Sequence, residues 1–488
     1  MKVAVVGGGW AGMAAAHALH QGGHDVTVFE VAHQLGGRAR GITDEALGSI
    51  DNGQHLLIGA YQHTLSLIDW ASRQQTSRHP TGHQESPRYV RMPLSLRCAD
   101  DAIALVMGAG QPLALTRLKA LCQAKGLSKL DRVRALWLLG CLQVGLAWPP
   151  EDKTVLRWLT DYRQSANLLD KLWIPLCLAT MNTPPEVASA AMFARVLKDS
   201  LLSPTRGSTD LIIPCSDLTG LWIEEVARQV EVMQGKQIIE VTPVNAQMQA
   251  RTSGQHITEQ LLIADRWFDG CVIAVPPASL KKIVDRWNHP VASEMTQWLD
   301  AFEFLPITTC YVEMAGPFAL PEPMLMLRSG HPPRHPVSQD PDRDALTCLG
   351  QWVFDRNAAW SGDQADTPNG RLAFVISHAS QVRLDRKNLA EKLIDQLHNE
   401  LLRSNSKHKR QLAADLPDIL ASQVITEKRA TFAATPLLTR PSCDATPYPN
   451  IKLAGDWTDT GYPAVLEGAV ISGFKAAESL MRVIARSS

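Results

Sequence analysis

The chain has no C-x-x-C pair, and its nine cysteines are scattered and odd in number. That pattern argues against a disulfide framework or a structural zinc site, so no metal is expected, and it fits a reducing, cytoplasmic compartment. A charge excess is also missing. With a formal net charge of -1, nothing points to a nucleic-acid partner. No run of about eighteen apolar residues occurs, so no membrane-spanning helix is expected. Internal repeats and long low-complexity tracts are absent. What remains is the composition of a globular protein, and at 488 residues two domains are the default.

The most informative stretch is the first forty residues. Residues 3–6 read as a short apolar strand running into Gly7-Gly8-Gly9-Trp10-Ala11-Gly12, which satisfies G-x-G-x-x-G. A helical pattern follows to Leu19, then a second apolar strand over 26–29 ending in Glu30. Gly7 permits a tight turn, Gly9 lets backbone approach a pyrophosphate, and Gly12 lets the helix pack on the strand. The helix N-terminus offers free N–H groups to phosphates. Glu30 stands where a carboxylate accepts hydrogen bonds from ribose hydroxyls. Four glycines interrupt the apolar run, which argues against a secretory leader. The stretch is therefore read as a dinucleotide site.

Next come Gly36-Gly37-Arg38, with an arginine able to clamp a phosphate, and Asp51-Asn52-Gly53-Gln54-His55, which spacing alone favours as a turn over a buried polar site. Residues 61–204 are mostly helical in pattern. The apolar stretch 134–148 is too short to span a bilayer. It is more often a core helix, and less often a helix lying on a membrane or lining an apolar tunnel. From 205 the pattern returns to α/β: a helix over 217–232, a strand over 237–244, a meander over 247–262, and a buried strand over 268–275 that Pro276-Pro277 ends. A second excursion holds strands over 304–313, 347–353 and 372–377, a proline-rich loop over 316–344 and an amphipathic helix over 389–402. The basic run 403–410 reads as a solvated helix end, with contact to an anionic membrane as the minority reading. A strand over 451–454 then leads to Gly455-Asp456-Trp457 and to a final helix over 465–484, with Pro463 suited to its first position. Gly468 and Gly473 inside that helix cost about 1 kcal/mol each relative to alanine, and a close neighbour would explain them.

These pieces together resemble the flavin-dependent amine oxidase and phytoene desaturase superfamily. The matching residues are the glycine fingerprint, Gly36-Gly37-Arg38, Ala274-Val275-Pro276-Pro277, Leu453-Ala454-Gly455-Asp456, Glu467-Gly468-Ala469 and Ser472-Gly473. Within it, Asp51-Asn52-Gly53-Gln54-His55, the stretch from Trp173 to Thr183, and Thr458-Asp459-Thr460-Gly461-Tyr462-Pro463-Ala464 are similar to the hydroxysqualene dehydroxylases. Met181 stands where that branch usually has leucine.

The resemblance implies an α/β fold: a discontinuous Rossmann-like FAD-binding domain (1–70, 205–285 and 423–488) with an inserted α+β substrate domain of mixed sheet and helices (71–204 and 286–422). It implies that Gly7, Gly9, Ala11, Gly12 and Glu30 hold the ADP half of FAD. Gly37 and Arg38 would meet the pyrophosphate, Val244 would offer backbone to the adenine, and Gly455 and Asp456 would meet the ribityl or phosphate portion. Pro463, Ala464 and Leu466 would face the isoalloxazine, where a positive helix end favours anionic reduced flavin. The implied reaction replaces an allylic C–OH of a hydrophobic isoprenoid, hydroxysqualene, by C–H. It needs an acid, a dry apolar tunnel, a reduced flavin and an electron donor that the sequence does not identify. His55, oriented by Asp51, is the expected acid; Tyr462 and Asp459 are second choices. An equally weighted alternative is that Asp51 and His55 only hold the cofactor or a turn. Peripheral membrane contact is expected for so insoluble a substrate. The rival functions are a carotenoid desaturase or amine oxidase on the same fold, a non-catalytic FAD-fold scaffold, and an NAD dehydrogenase.

Overall fold

The computed structural model describes residues 1–78, 87–107, 113–244, 260–328, 349–358, 368–379 and 388–487. In chain order the strands of its two main sheets are β1 (Lys2–Val6), β2 (Asp25–Phe29), β3 (Glu231–Met233), β4 (Gly270–Ile273), β5 (Phe304–Met314), β6 (Met324–Met326), β7 (Trp352–Asp355), β8 (Arg371–Ile376), β9 (Ile419–Phe432) and β10 (Ile451–Leu453). The helices that matter most are α1 (Trp10–Gln21), α2 (Gln62–Arg78), α3 (Lys129–Gln143), α4 (Ala190–Ser200), α5 (Leu389–Arg403) and α6 (Leu466–Ser487).

The first sheet is parallel, in the order β3-β2-β1-β4-β10. β4 is buried at every position and β1 at all but its first. Runs without alternation suit strands covered on both faces. α1 and α6 lie together against this sheet. Their contact explains Gly473: a Cβ there would sit 2.2 Å from the Ala11 carbonyl oxygen. The second sheet is antiparallel, in the order β6-β7-β8-β5-β9. α5 closes one face of it through Leu389, Leu393, Leu397 and Leu401. A third sheet joins Thr242–Val244, Gln260–Ile263 and Arg266–Phe268.

Several expectations need correction. The helix expected over 217–232 is confined to Ile223–Ala227, and residues 231–233 are the edge strand β3. Asp217 holds the chain in a turn instead, because its carboxylate accepts the N–H groups of Thr219 and Gly220. The strand expected over 237–244 is limited to Thr242–Val244, where Gln260–Ile263 supplies a partner. Most of the meander expected over 247–262 lies outside the described residues, as do residues 329–344 of the proline-rich loop; within 316–328 that segment contains β6. The single strand expected over 268–275 is divided at Asp269, whose carboxylate accepts the Lys2 N–H at 2.8 Å; the two halves join different sheets. Residues 61–204 also contain the strands Tyr89–Met92, Ser95–Arg97 and Ala104–Val106.

The basic run 403–410 is not simply a solvated helix end. α5 stops at Arg403, Ser406 caps a new helix (Lys407–Ala414), and Lys409 is buried. Its ammonium donates to the carbonyls of Cys98 and Ala99 and to Asp101 at 2.7 Å. Pro463 does not open the last helix, which begins at Leu466. The Pro463 carbonyl accepts the Val465 N–H in a tight turn just before it. Finally, α2 runs across the boundary expected at 70/71, and β9 runs across that at 422/423. β9 escaped the sequence reading because its polar and apolar residues come in short runs without alternation and it carries Glu427, Lys428 and Arg429, as a charged edge strand does.

Candidate active site

The site begins where β1 ends. Gly7 has φ +108°, and a Cβ there would lie 2.4 Å from the Ala274 carbonyl oxygen; one on Gly12 would lie 1.8 Å from that of Gly7. Both positions exclude a side chain. Gly9 caps α1 without any side-chain hydrogen bond, so the first N–H groups of this helix have no side-chain partner at the cap. Gly37 stands against Gly9: a Cβ on Gly37 would lie 3.1 Å from the Gly9 Cα. Glu30 is buried, and its carboxylate accepts the N–H of Gly8 at 2.6 Å and of Ala32 at 2.8 Å. A carboxylate has about four acceptor positions, so two bonds leave room for ribose hydroxyls.

Topology then brings the two ends of the chain together. Arg38 pairs with Asp456 at 2.6 Å and donates to the Ala430 carbonyl of β9 at 2.6 Å. Gly455 donates its N–H to Ser472 of α6 at 2.8 Å. The free helix N-terminus, a carboxylate at the tip of β2 and a partly buried cation–carboxylate pair are the set of groups that a dinucleotide pyrophosphate and ribose require. Ala11 is buried in α1 with its carbonyl against Gly473. Ala464 and Leu466 are half-buried and pack against the two large cores. Val244 stands apart, paired with Gln260 in the three-stranded sheet.

The stretch 51–55 spans the gap between the sheets. Asn52 donates to the Arg38 carbonyl at 3.0 Å and to Glu427 of β9 at 3.3 Å; the Gln54 N–H donates to Thr309 of β5 at 3.1 Å. Asp51 does not orient His55, contrary to expectation. Its Oδ1 accepts the Leu218 N–H at 2.9 Å, and burial pushes its carboxyl up to about 7. His55 is partly buried, with Nδ1 2.8 Å from the Gly53 carbonyl oxygen. A carbonyl only accepts, so Nδ1 carries the hydrogen and neutral His55 presents Nε2 as an acceptor. Burial lowers its pKa, the Gly53 bond opposes that, and the nearby Arg38 cation lowers it further.

Of the second choices, Asp459 is exposed. Tyr462 donates its hydroxyl to Asp199 of α4 at 2.5 Å, and Asp199 pairs with Arg195 at 2.5 Å. Burial first, then the Asp199 bond, pushes the Tyr462 phenol up to about 12, which makes it a reluctant acid.

Sequence reasoning missed Arg195, Asp199 and Arg440, and assigned Glu467 no role. Arg440 is largely buried beside the Phe432 ring. It donates to the carbonyls of Asp456 at 2.7 Å, Tyr462 at 2.6 Å, Trp457 at 3.3 Å and Thr458, and to the Thr460 hydroxyl at 3.1 Å. Burial lowers its pKa to about 10. One side chain thus shapes the whole loop between β10 and α6. Glu467, in the first turn of α6, accepts the N–H groups of His63 and Thr64 and so caps α2. It also places a carboxylate at the helix end that the sequence reading took as purely positive. Asn182, next to last in the similarity stretch 173–183, has φ +47° and links Thr431 of β9 to the His378 N–H, at 2.8 and 2.7 Å. None of these residues has a local sequence signal, apart from Glu467 and Asn182, which lie in stretches quoted for the resemblance.

Comparison with known proteins agrees with this geometry. The family model described as flavin containing amine oxidoreductase matches residues 223–481, more than half of the chain, and one described as an NAD(P)-binding Rossmann-like domain matches residues 5–69. The chain belongs to the flavin containing amine oxidoreductase family and is an FAD-dependent oxidoreductase. Among its relatives, a hydroxysqualene dehydroxylase of Rhodopseudomonas palustris is 28% identical over 98% of each chain. A 15-cis-phytoene desaturase of Synechococcus elongatus is 24% identical over 99% of this chain and 96% of its own. Wild-type putrescine oxidase bound to putrescine shares the fold, with a TM-score of 0.61 and 15% identity over 100% of both chains.

Proposed function

We propose that the protein reductively removes the hydroxyl of hydroxysqualene to give squalene. The observation that carries this reading is the end-to-end similarity to the Rhodopseudomonas palustris enzyme, at higher identity than to the phytoene desaturase. In this reading, residues 1–70, 205–285 and 423–488 form the FAD-binding domain and 71–204 and 286–422 the substrate domain. The boundaries near 70 and 422 move to the ends of α2 and β9, since neither element is broken there.

Gly7, Gly9, Ala11 and Gly12 keep backbone open to the pyrophosphate of FAD, and Glu30 holds its ribose. Gly37, Arg38, Gly455 and Asp456 close the other side. Val244 serves the adenine; Pro463, Ala464 and Leu466 lie toward the flavin ring. Bound there, reduced FAD would supply the hydride, and an external electron donor would recharge it.

The chain's own residues manage the proton. The substrate oxygen must leave as water, so one proton is given to C–OH as the C–O bond breaks, and the hydride then completes C–H. We assign that proton to His55 Nε2, with the Gly53 carbonyl, not Asp51, fixing the ring. Because the His55 pKa is lowered, the imidazolium is a stronger acid that is populated only below the ordinary histidine range. The rate therefore falls as pH rises through and above that lowered pKa. The protein acts in the cytoplasm, with peripheral contact to the inner face of the membrane.

The test is anaerobic incubation of the purified protein, with chemically reduced FAD, on hydroxysqualene, followed by product analysis. Squalene is the expected product. Desaturation of a carotenoid precursor or oxidation of an amine, without squalene, overturns the reading. His55→Ala is expected to keep the flavin absorbance and lower turnover by about 10²-fold or more. Normal turnover with FAD retained eliminates His55 as the acid.

A further inference from the structure

The apolar stretch 134–148 does not form an ordinary core helix. α3 buries Ala135, Leu138 and Leu142 on one side. On the other side Leu130, Val133 and Trp137 stand out, at successive helical spacings of three and four residues, with Trp137 67% exposed. The turn that follows adds Val144, Leu146 and Trp148, and Leu146 is 77% exposed. The turn is built to present them. The Leu146 carbonyl accepts the Tyr162 hydroxyl at 3.0 Å, the Ala147 carbonyl accepts the Trp158 indole N–H at 3.0 Å, and Ala147 itself is fully buried. Backbone is thus anchored inward while the side chains are turned out.

Scattered apolar residues on a surface need no explanation, but a contiguous group does. The charge along the stretch that carries this one is largely of one sign. Residues 118–148 contain Lys119, Lys125, Lys129, Arg132 and Arg134 against one acid, Asp131. Asp131 is buried and spent on the Ser128 cap and on Ser165 and Asn167. The next acids, Glu151 and Asp152, come only beyond Trp148. Exposed apolar side chains with a cationic border match a bilayer interface whose headgroups are anionic. No helix among the described residues is long and apolar enough to cross a membrane, so such contact is peripheral.

The geometry points to this face as the surface by which the protein docks on an anionic lipid bilayer. Its position ties it to the site. Lys198 of α4 lies over the Trp148 ring at 5.5 Å, and the next residue, Asp199, accepts the Tyr462 hydroxyl in the loop before α6. One helix therefore joins the docking face to the loop that leads into the cofactor-binding region. This rests on the hydrocarbon-substrate reading for its purpose, but vesicle binding tests it without turnover.

The FAD-loaded protein is sedimented with phosphatidylcholine vesicles, with and without phosphatidylglycerol. Binding is expected to the anionic vesicles and to weaken with added salt. The double variant Trp137→Ser, Leu146→Ser should lose roughly tenfold or more in partitioning, with flavin absorbance and Tm unchanged. Wild-type protein left in the supernatant, equal binding to neutral vesicles, or undiminished binding of the variant each overturns the proposal. So does a wild-type dimer that the variant converts to monomer, which would make the face a contact between copies of this chain. Failure to make squalene would leave the vesicle result standing and sink only the catalytic reading.

Discussion

The parallel sheet β3-β2-β1-β4-β10 and the antiparallel sheet β6-β7-β8-β5-β9 have five strands each, yet they present chemistry in opposite ways. At the end of the parallel sheet the useful groups are backbone N–H groups and empty space, made by Gly7, Gly9, Gly12 and Gly37 around the tip of α1. At the antiparallel sheet they are side chains arriving from far along the chain: Glu427 to Asn52, Thr431 to Asn182, Thr309 to Gln54. The first arrangement is local, so a short motif encodes it. The second depends on register and leaves no motif. Recognition of a common cofactor can rest on the first; the second holds residues 52–54 and Asn182 against the sheet.

The largest effect should come from breaking the local half. Gly12→Val puts a side chain onto the Gly7 carbonyl, and the purified protein is expected to lose its flavin absorbance altogether. FAD retained at full occupancy would mean that the glycine loop is not the cofactor cradle. Next comes the distributed half. Arg440→Ala strips several carbonyls of their donor in a largely buried place. About 3 kcal/mol of stability is expected to go, seen as a Tm lower by roughly 5–10 °C, with weaker FAD binding by fluorescence titration. An unchanged Tm would show that the loop before α6 holds its own shape.

Asn182→Ala is a smaller cut, removing one buried hydrogen bond to β9 and one partly buried bond to the chain just after β8. About 2 kcal/mol is expected, with FAD affinity unaffected; a loss of FAD affinity would erase the separation between the two halves. The smallest effect is pH-dependent. Asp51 has a folded pKa raised to about 7, so its stabilising contribution is full below the unfolded carboxylate range and is lost as pH rises through 7. Asp51→Asn keeps an acceptor for the Leu218 N–H and removes the charge. Its Tm relative to wild type should therefore climb by a few degrees between pH 5 and 9. A flat difference would show that Asp51 does not titrate in this range.

Legibility followed the same division. The order of strand, glycine turn, helix and acid at the N-terminus was visible because each step is a short-range demand on backbone geometry. The closing Gly455-Asp456 and the small residues of α6 were visible for the same reason, although only the packing showed that Gly473 admits the backbone of α1. β9 was not visible, because a charged edge strand has the composition of a loop. Lys409 was misread as solvated because only the distant strand region near Asp101 makes its burial affordable. His55 was singled out as the acid to test, and its orienter was taken from sequence neighbourhood. The structure uses the Gly53 carbonyl and sends Asp51 to Leu218.

By itself, then, the sequence determined the cofactor class and the discontinuous plan of the fold, since glycine spacing and apolar periodicity act over a few residues. Tertiary structure alone decided which side chains share the site and which apolar residues face outward. Asp199 meets Tyr462, 263 residues on, Arg440 meets the loop before α6, and Trp137 faces outward, because those outcomes depend on how separate elements are laid against one another. Hydrogen bonding and burial are settled only at that level.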